Sequence, residues 1–121
     1  MKKINNEVFG IILSGGKSRR MGSDKSLKKI KNKNMIEFVV DRAHKQVSCL
    51  AINSNAHRNT FKNKFNLEII PDCVSGNLGP LAGILTGLKW AKNKNKNCKW
   101  VVFFPVDSPF FPKDLIKKFL D

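Results

Sequence analysis

An apolar run, VFGIIL at positions 8 to 13, ends in Ser14 and a glycine pair, Gly15 and Gly16, and no other stretch narrows the choice of folds so far. Six residues without polar alternation read as a strand buried on both faces, the mark of a parallel sheet covered by helices. Glycines where such a strand leaves the sheet let backbone N–H groups approach an anion with no Cβ in the way. Arg19, Arg20 and, past Gly22, Lys25 follow in the same loop, where their charges would neutralise a phosphate. Two familiar phosphate loops are excluded by spacing. GxxxxGKS would need glycine at position 11, where the chain has Ile11, and GxGxxG counted from Gly15 meets Lys17 at its second glycine.

The rest of the chain alternates between strand and helix signals. Ile36, Val39, Val40, Ala43 and Val47 recur at helical spacing over Met35 to Val47, and Cys49 to Asn53 (CLAIN) reads as a second strand. A weaker helix from about His57 to Phe65 precedes a third strand, Leu67 to Ile70, which Pro71 ends. Turn residues Ser75, Gly76, Asn77, Gly79 and Pro80 then lead into a helix whose apolar stripe is Leu81, Ile84, Leu85, Leu88 and Ala91. The fourth strand is Trp100 to Pro105, and Leu115, Ile116, Phe119 and Leu120 would face the core from a last amphipathic turn or two. This alternation implies an α/β fold with a mostly parallel sheet in the order third, second, first, fourth. The ligand crevice is then expected at the C-terminal ends of the first and fourth strands. Gly15 to Lys25, Asn53, Asp72 to Gly83, and Asp107 all fall on that rim.

With 121 residues, 41% hydrophobic and 26% charged, the chain suits a single domain spanning residues 1 to 121. MKKINNE is polar and the run behind it is too short for a signal peptide or a membrane span, so a cytoplasmic protein with no membrane partner is expected. Cys49, Cys73 and Cys98 are widely spaced and form no CxxC pair, which points to reduced thiols rather than a zinc site. His44 and His57 read as surface residues. The net charge of +14 would attract nucleic acid. However, the lysines gather with asparagine at Lys28 to Asn34 and Lys92 to Asn97, without interleaved aromatics that could stack on bases. A solvated lysine surface is the preferred reading, and a basic nucleic-acid-binding module a remote one.

Three polar residues on the rim have open roles. Asp107, delivered by VVFFPV, either caps the following segment or holds Mg²⁺ against phosphate oxygens. Asp72 either stabilises a turn or meets a ligand. Asn53 closes its strand or offers its amide to a base edge or a sugar.

LSGGKSRRMGSDK (Leu13 to Lys25), GPLAGI (Gly79 to Ile84) and PVDSPFFP (Pro105 to Pro112) together resemble the molybdenum cofactor guanylyltransferases, with LAGGxSxRMGxDK, GPLAG and a PCD-like tripeptide as the usual pattern. The resemblance spans almost the whole chain. It implies a Rossmann-like three-layer α/β/α nucleotidyltransferase fold, and transfer of GMP from GTP to molybdopterin (Mo-molybdopterin) with release of pyrophosphate. The nucleotide site so implied comprises Leu13, Ser14, Gly15, Gly16, Lys25, Asn53, Asp72, Gly79 and Asp107, with Ser14 standing where alanine is commoner. Arg20, Lys25 and Asp107 are implied to be catalytic, Asp107 holding Mg²⁺. The molybdopterin cytidylyltransferases share RMGxxK and are the related alternative.

One departure changes the expectation. Members of this family continue well past the position equivalent to Asp121, with strands and helices that form much of the molybdopterin pocket. The chain is therefore expected to be a C-terminally truncated, N-terminal portion of the fold, with an open edge at its fourth strand. It would act either as an inactive or split GTP-binding remnant or together with a second chain that supplies the missing half.

Overall fold

Residues 8–14, 29–30, 33–55, 58–73, 80–94, 98–106 and 112–120 are described by the structure, a computed structural model. Along the chain they form β1 (Val8–Leu13), β2 (Lys29–Ile30), β3 (Lys33–Asn34), α1 (Met35–Ala43), β4 (Cys49–Asn53), α2 (Arg58–Phe65), β5 (Glu68–Ile70), α3 (Pro80–Lys94), β6 (Trp100–Pro105) and α4 (Leu115–Leu120). The main sheet has the order β5-β4-β1-β6 and every pairing in it is parallel, which is the expected third, second, first, fourth arrangement. Its two central strands, β1 and β4, are the most buried, as double coverage requires. Among the described residues β6 pairs with β1 alone.

Helices cover both faces of the sheet. Beneath one face, Val8, Ile12 and Ile52 meet Ile36 and Val39 of α1, Phe61 of α2 and Ile116 of α4. Against the other, Phe9, Ile11 and Ala51 meet Trp90 and Ala91 of α3, with the Phe9 and Trp90 ring centroids 5.6 Å apart. This is a three-layer α/β/α arrangement. A short antiparallel hairpin, β2 with β3, precedes α1. It falls inside the lysine and asparagine run read as plain solvated surface, where no apolar alternation marks a strand.

Two elements depart from the periodicity. α1 ends at Ala43 rather than continuing to Val47. Val47 is buried all the same, because the turn that follows folds back onto the core. Within that turn the Gln46 Nε2 donates to the carbonyls of Arg42 and Pro112, both at 3.1 Å. Its Oε1 accepts the Ile116 N–H at 2.9 Å, tying the first turn of α4 to the end of α1.

The second departure concerns α3. Leu81, Leu85 and Leu88, three members of its apolar stripe, are 49%, 41% and 47% exposed. Ala82, Gly83, Thr86, Gly87, Trp90 and Ala91 face the sheet instead. Helical spacing describes both sets equally well, and the distance of the helix from the sheet decides between them. A Cβ at Gly87 would lie 2.6 Å from a Phe103 ring carbon and 2.9 Å from Ile11 Cγ1, closer than any leucine face could approach.

The far end of α3 is anchored on β5 by Glu68. Trp90 Nε1 donates to Glu68 Oε2 at 3.0 Å and Lys94 Nζ donates to Oε1 at 2.5 Å. The Lys94 hydrogen bond, helped by that from Trp90, holds the Glu68 carboxyl below the usual carboxylate range. A depressed folded value means that the contribution to stability is present above the unfolded value and is lost as pH falls through the folded one. Thermal unfolding of Glu68→Gln and of the parent chain should therefore differ near neutral pH and converge below about pH 4. A gap that persists unchanged in acid would show that the contact works through packing alone.

Candidate functional site

The strand registers bring four ends into one row: Ile70 of β5 pairs with Asn53 of β4, Asn53 with Leu13 of β1, and Leu13 with Pro105 of β6. The chain leaves this row into the three motifs singled out in the sequence, from β1, β5 and β6, and β4 ends in Asn53 itself. Two further hydrogen bonds extend the row by one residue, from Val106 N–H to the Leu13 carbonyl and from Ser14 N–H to the Asn53 carbonyl, both 3.1 Å long. The Ser14 hydroxyl also donates to the Asn53 carbonyl, at 3.2 Å. A serine therefore fits where the family pattern has alanine: its one extra polar group is turned inward and satisfied.

Asn53 is the hub of the site. It is 4% exposed, and its Nδ2 donates to the Ile70 carbonyl at 3.0 Å and to Asp72 Oδ1 at 2.9 Å. The other Asp72 oxygen accepts Asn55 Nδ2 at 3.0 Å, while the Asp72 N–H donates to Asn55 Oδ1 at 2.8 Å. The next residue is held from α3: Cys73 N–H donates to Thr86 Oγ1 at 2.9 Å, and that hydroxyl donates in turn to the Ala82 carbonyl at 2.7 Å. The loop after β5 is thus fixed from β4 on one side and from α3 on the other. Asn53 Oδ1 points at α3, where a Cβ on Gly83 would lie 2.6 Å from it and 2.8 Å from Leu13 Cδ2.

Leu13, Ser14, Asn53 and Asp72, all expected at the site, are brought together here. Gly15, Gly16, Arg20, Lys25, Gly79 and Asp107 lie outside the described residues. In sequence, Gly15 and Gly16 directly follow Ser14, Gly79 directly precedes α3, and Asp107 directly follows Val106. Three participants escaped the sequence reading. Asn55 looks like any polar loop residue, and Thr86 like an interruption in an apolar helix. Gly83 was visible in GPLAGI, but only the depth of the helix against the sheet gives its missing Cβ a purpose.

The chemistry the described part offers is polar and acceptor-rich, with one carboxylate braced by two amides. Among the described residues no three His, Cys, Asp or Glu side chains gather as a metal set. All three cysteines are free, and burial pushes the Cys49 thiol up, away from reactivity. His44 is exposed, as read from the sequence. No described helix is long and apolar enough to cross a membrane.

Residues 10–121 match the model of the family described as "MobA-like NTP transferase domain". The chain is 40% identical over 112 residues to the molybdenum cofactor guanylyltransferase of Yersinia pestis, an alignment covering 92% of this chain and 54% of that protein. The chain thus spans about half the length of the curated relatives it matches. Among solved structures, the fold is similar to the homolog of Mycobacterium tuberculosis Rv0371c from Mycobacterium sp. strain JC1, with a TM-score of 0.74 at 18% identity over 92% of this chain and 56% of that one. It is similar also to molybdopterin-guanine dinucleotide biosynthesis protein A from Archaeoglobus fulgidus, with a TM-score of 0.64 at 21% identity over 91% and 52%.

Proposed function

The chain belongs to the MobA-like NTP transferase family, and from that membership we propose that it is the nucleotide-binding domain of a cytoplasmic molybdenum cofactor guanylyltransferase, with GTP as its ligand. The observation that carries the reading is the single row of strand ends at Ile70, Asn53, Leu13 and Pro105. From it the Leu13 to Lys25 loop, the Asn53 and Asp72 pair and the Asp107 segment all set out. Ligands of open α/β sheets bind in the crevice beyond such ends.

In the proposed reaction a phosphate oxygen of molybdopterin attacks the α-phosphorus of GTP, the bond between the α-phosphorus and the bridging oxygen breaks, and pyrophosphate leaves. Transfers of this kind need little covalent work from the protein, so positioning and charge neutralisation supply most of the rate. Asn53 and Asp72 hold the nucleoside, together with backbone groups from Leu13, Ser14, Gly15, Gly16 and Gly79. Arg20 and Lys25 neutralise the triphosphate. Asp107 would hold Mg²⁺. A cation held by one carboxylate and by substrate phosphates fits a site whose described residues include no acidic cage. When bound, the ion adds positive charge next to the phosphate oxygens.

Because the chain spans 54% of the Yersinia relative, GTP binding is the part of this function that it carries most directly. Transfer is proposed to need the molybdopterin-binding half of such an enzyme as well. Stabilisation against heat is the direct test. GTP with Mg²⁺ should raise the melting temperature, by about 2.7 kcal/mol of added stability at a hundredfold excess over its dissociation constant, while CTP and ATP do less. Equal shifts with all three nucleotides would overturn guanine specificity, and no shift with any would overturn the nucleotide site.

A further inference from the structure

We propose that Asn55 is a positioning residue for nucleotide recognition, orienting the Asp72 carboxylate so that its remaining lone pairs meet the donor groups of the bound nucleoside. The inference rests on the reading of this crevice as a GTP site and adds to it a residue that no motif assigns.

A carboxylate in a loop turns freely about its terminal torsion, whose energy profile is broad. The bond from Asn53 Nδ2 to Asp72 Oδ1 holds one oxygen but leaves the group able to pivot about it. Asn55 removes that freedom at two points with a single amide: its Nδ2 takes the second oxygen and its Oδ1 takes the Asp72 N–H. An ionised carboxylate has about four acceptor positions. Among the described residues two are filled, by the asparagines, which leaves the other positions aimed in a fixed direction. Such fixed acceptors select a ligand with N–H or O–H donors at matching positions, either the amino-bearing edge of guanine or the ribose hydroxyls. Their orientation is established before binding, so the ligand does not lose affinity to the ordering of the carboxylate.

The location of Asn55 separates this role from a structural one. Asn53 is buried and bonded to two strands, so its loss would disturb the sheet. Asn55 is exposed, and both its bonds to Asp72 lie at the surface. Its removal leaves the core intact and frees the carboxylate.

The experiment measures GTP dissociation constants by calorimetry on the full chain with Mg²⁺, for the parent, Asn55→Ala, Asn55→Asp, Asp72→Ala and the Asn55→Ala/Asp72→Ala double variant. Asn55→Ala should bind GTP about tenfold more weakly, because binding must then order a carboxylate that the parent holds in place beforehand, with its melting temperature little changed. Asn55→Asp should bind more weakly still, because an isosteric carboxylate repels Asp72. Once Asp72 is alanine, removing Asn55 should cost less than about twofold more, since the two act as a unit. Inosine triphosphate and 2′-deoxyguanosine triphosphate identify the donor: the penalty of whichever analogue the parent discriminates against should shrink in Asn55→Ala. Parent-like GTP affinity in Asn55→Ala, a full tenfold loss persisting without Asp72, or no discrimination against either analogue would overturn the proposal. A parent chain that does not bind GTP overturns the site reading itself, a result distinct from all three.

Discussion

Gly83→Ala is expected to weaken GTP binding by tenfold or more and to lower the stability of the chain, although alanine is the better helix former. Propensity alone would favour the substitution by about 1 kcal/mol. Against that, the added methyl meets Asn53 Oδ1 at 2.6 Å and Leu13 Cδ2 at 2.8 Å, and the Asn53 oxygen cannot retreat cheaply. The Asn53 amide is held by Ile70 and Asp72, and Leu13 is the last residue of the central strand. Overpacking of this kind costs about 1–3 kcal/mol, which outweighs the propensity gain. Relief comes either from lifting the first turns of α3 or from turning Asn53, and both disturb Asp72. Gly87→Ala is the control, with the same propensity gain and contacts as short. Its neighbours, a Phe103 ring carbon at 2.6 Å and Ile11 Cγ1 at 2.9 Å, make no hydrogen bond to Asn53 or Asp72, so GTP affinity should stay within about twofold. Equal effects of the two variants on GTP affinity would show that Gly83 serves the helix and not the site.

Lys25→Ala and Asp107→Ala are expected to reduce guanylyl transfer by at least about a hundredfold, measured in whatever assembly supports turnover, with melting temperatures unchanged. Groups that neutralise charge developing in a transition state are worth that much or more when removed singly. Their loss should appear in kcat, whereas loss of Asp72 should appear mainly in the KM for GTP. Full turnover in either purified variant would remove the catalytic assignment of that residue.

The sheet was legible from sequence because its strands carry their own evidence. VFGIIL is apolar throughout and CLAIN is so up to its final Asn53, and the structure bounds β1, β4 and β6 at the expected residues. The strand order followed from topology alone. What the sequence hid depends on distance between elements. Val47 is buried by a turn at a position where helical spacing also fits. Of the expected α3 stripe Ala91 is buried but Leu81, Leu85 and Leu88 face outward, because Ala82, Gly83, Thr86 and Gly87 bury little apolar area each and a reading that weights size puts the leucines inside. At the candidate site, Asn53 and Asp72 stand out in the sequence because they sit at strand ends, where open α/β sheets place their ligand crevice. Asn55 and Thr86 were missed because their roles exist only as hydrogen bonds to residues 17 and 13 positions away.

The outward leucines of α3 also bear on how this sequence can drift. Leu81, Leu85 and Leu88 keep close to half their surface in water, so folding draws less from them than from buried residues of the same size. Exchange for lysine or glutamate there alters colloidal behaviour more than the fold. Gly83 and Gly87 on the opposite face admit almost nothing else. On α3 the smallest side chains are the least replaceable and the largest apolar ones the freest to change.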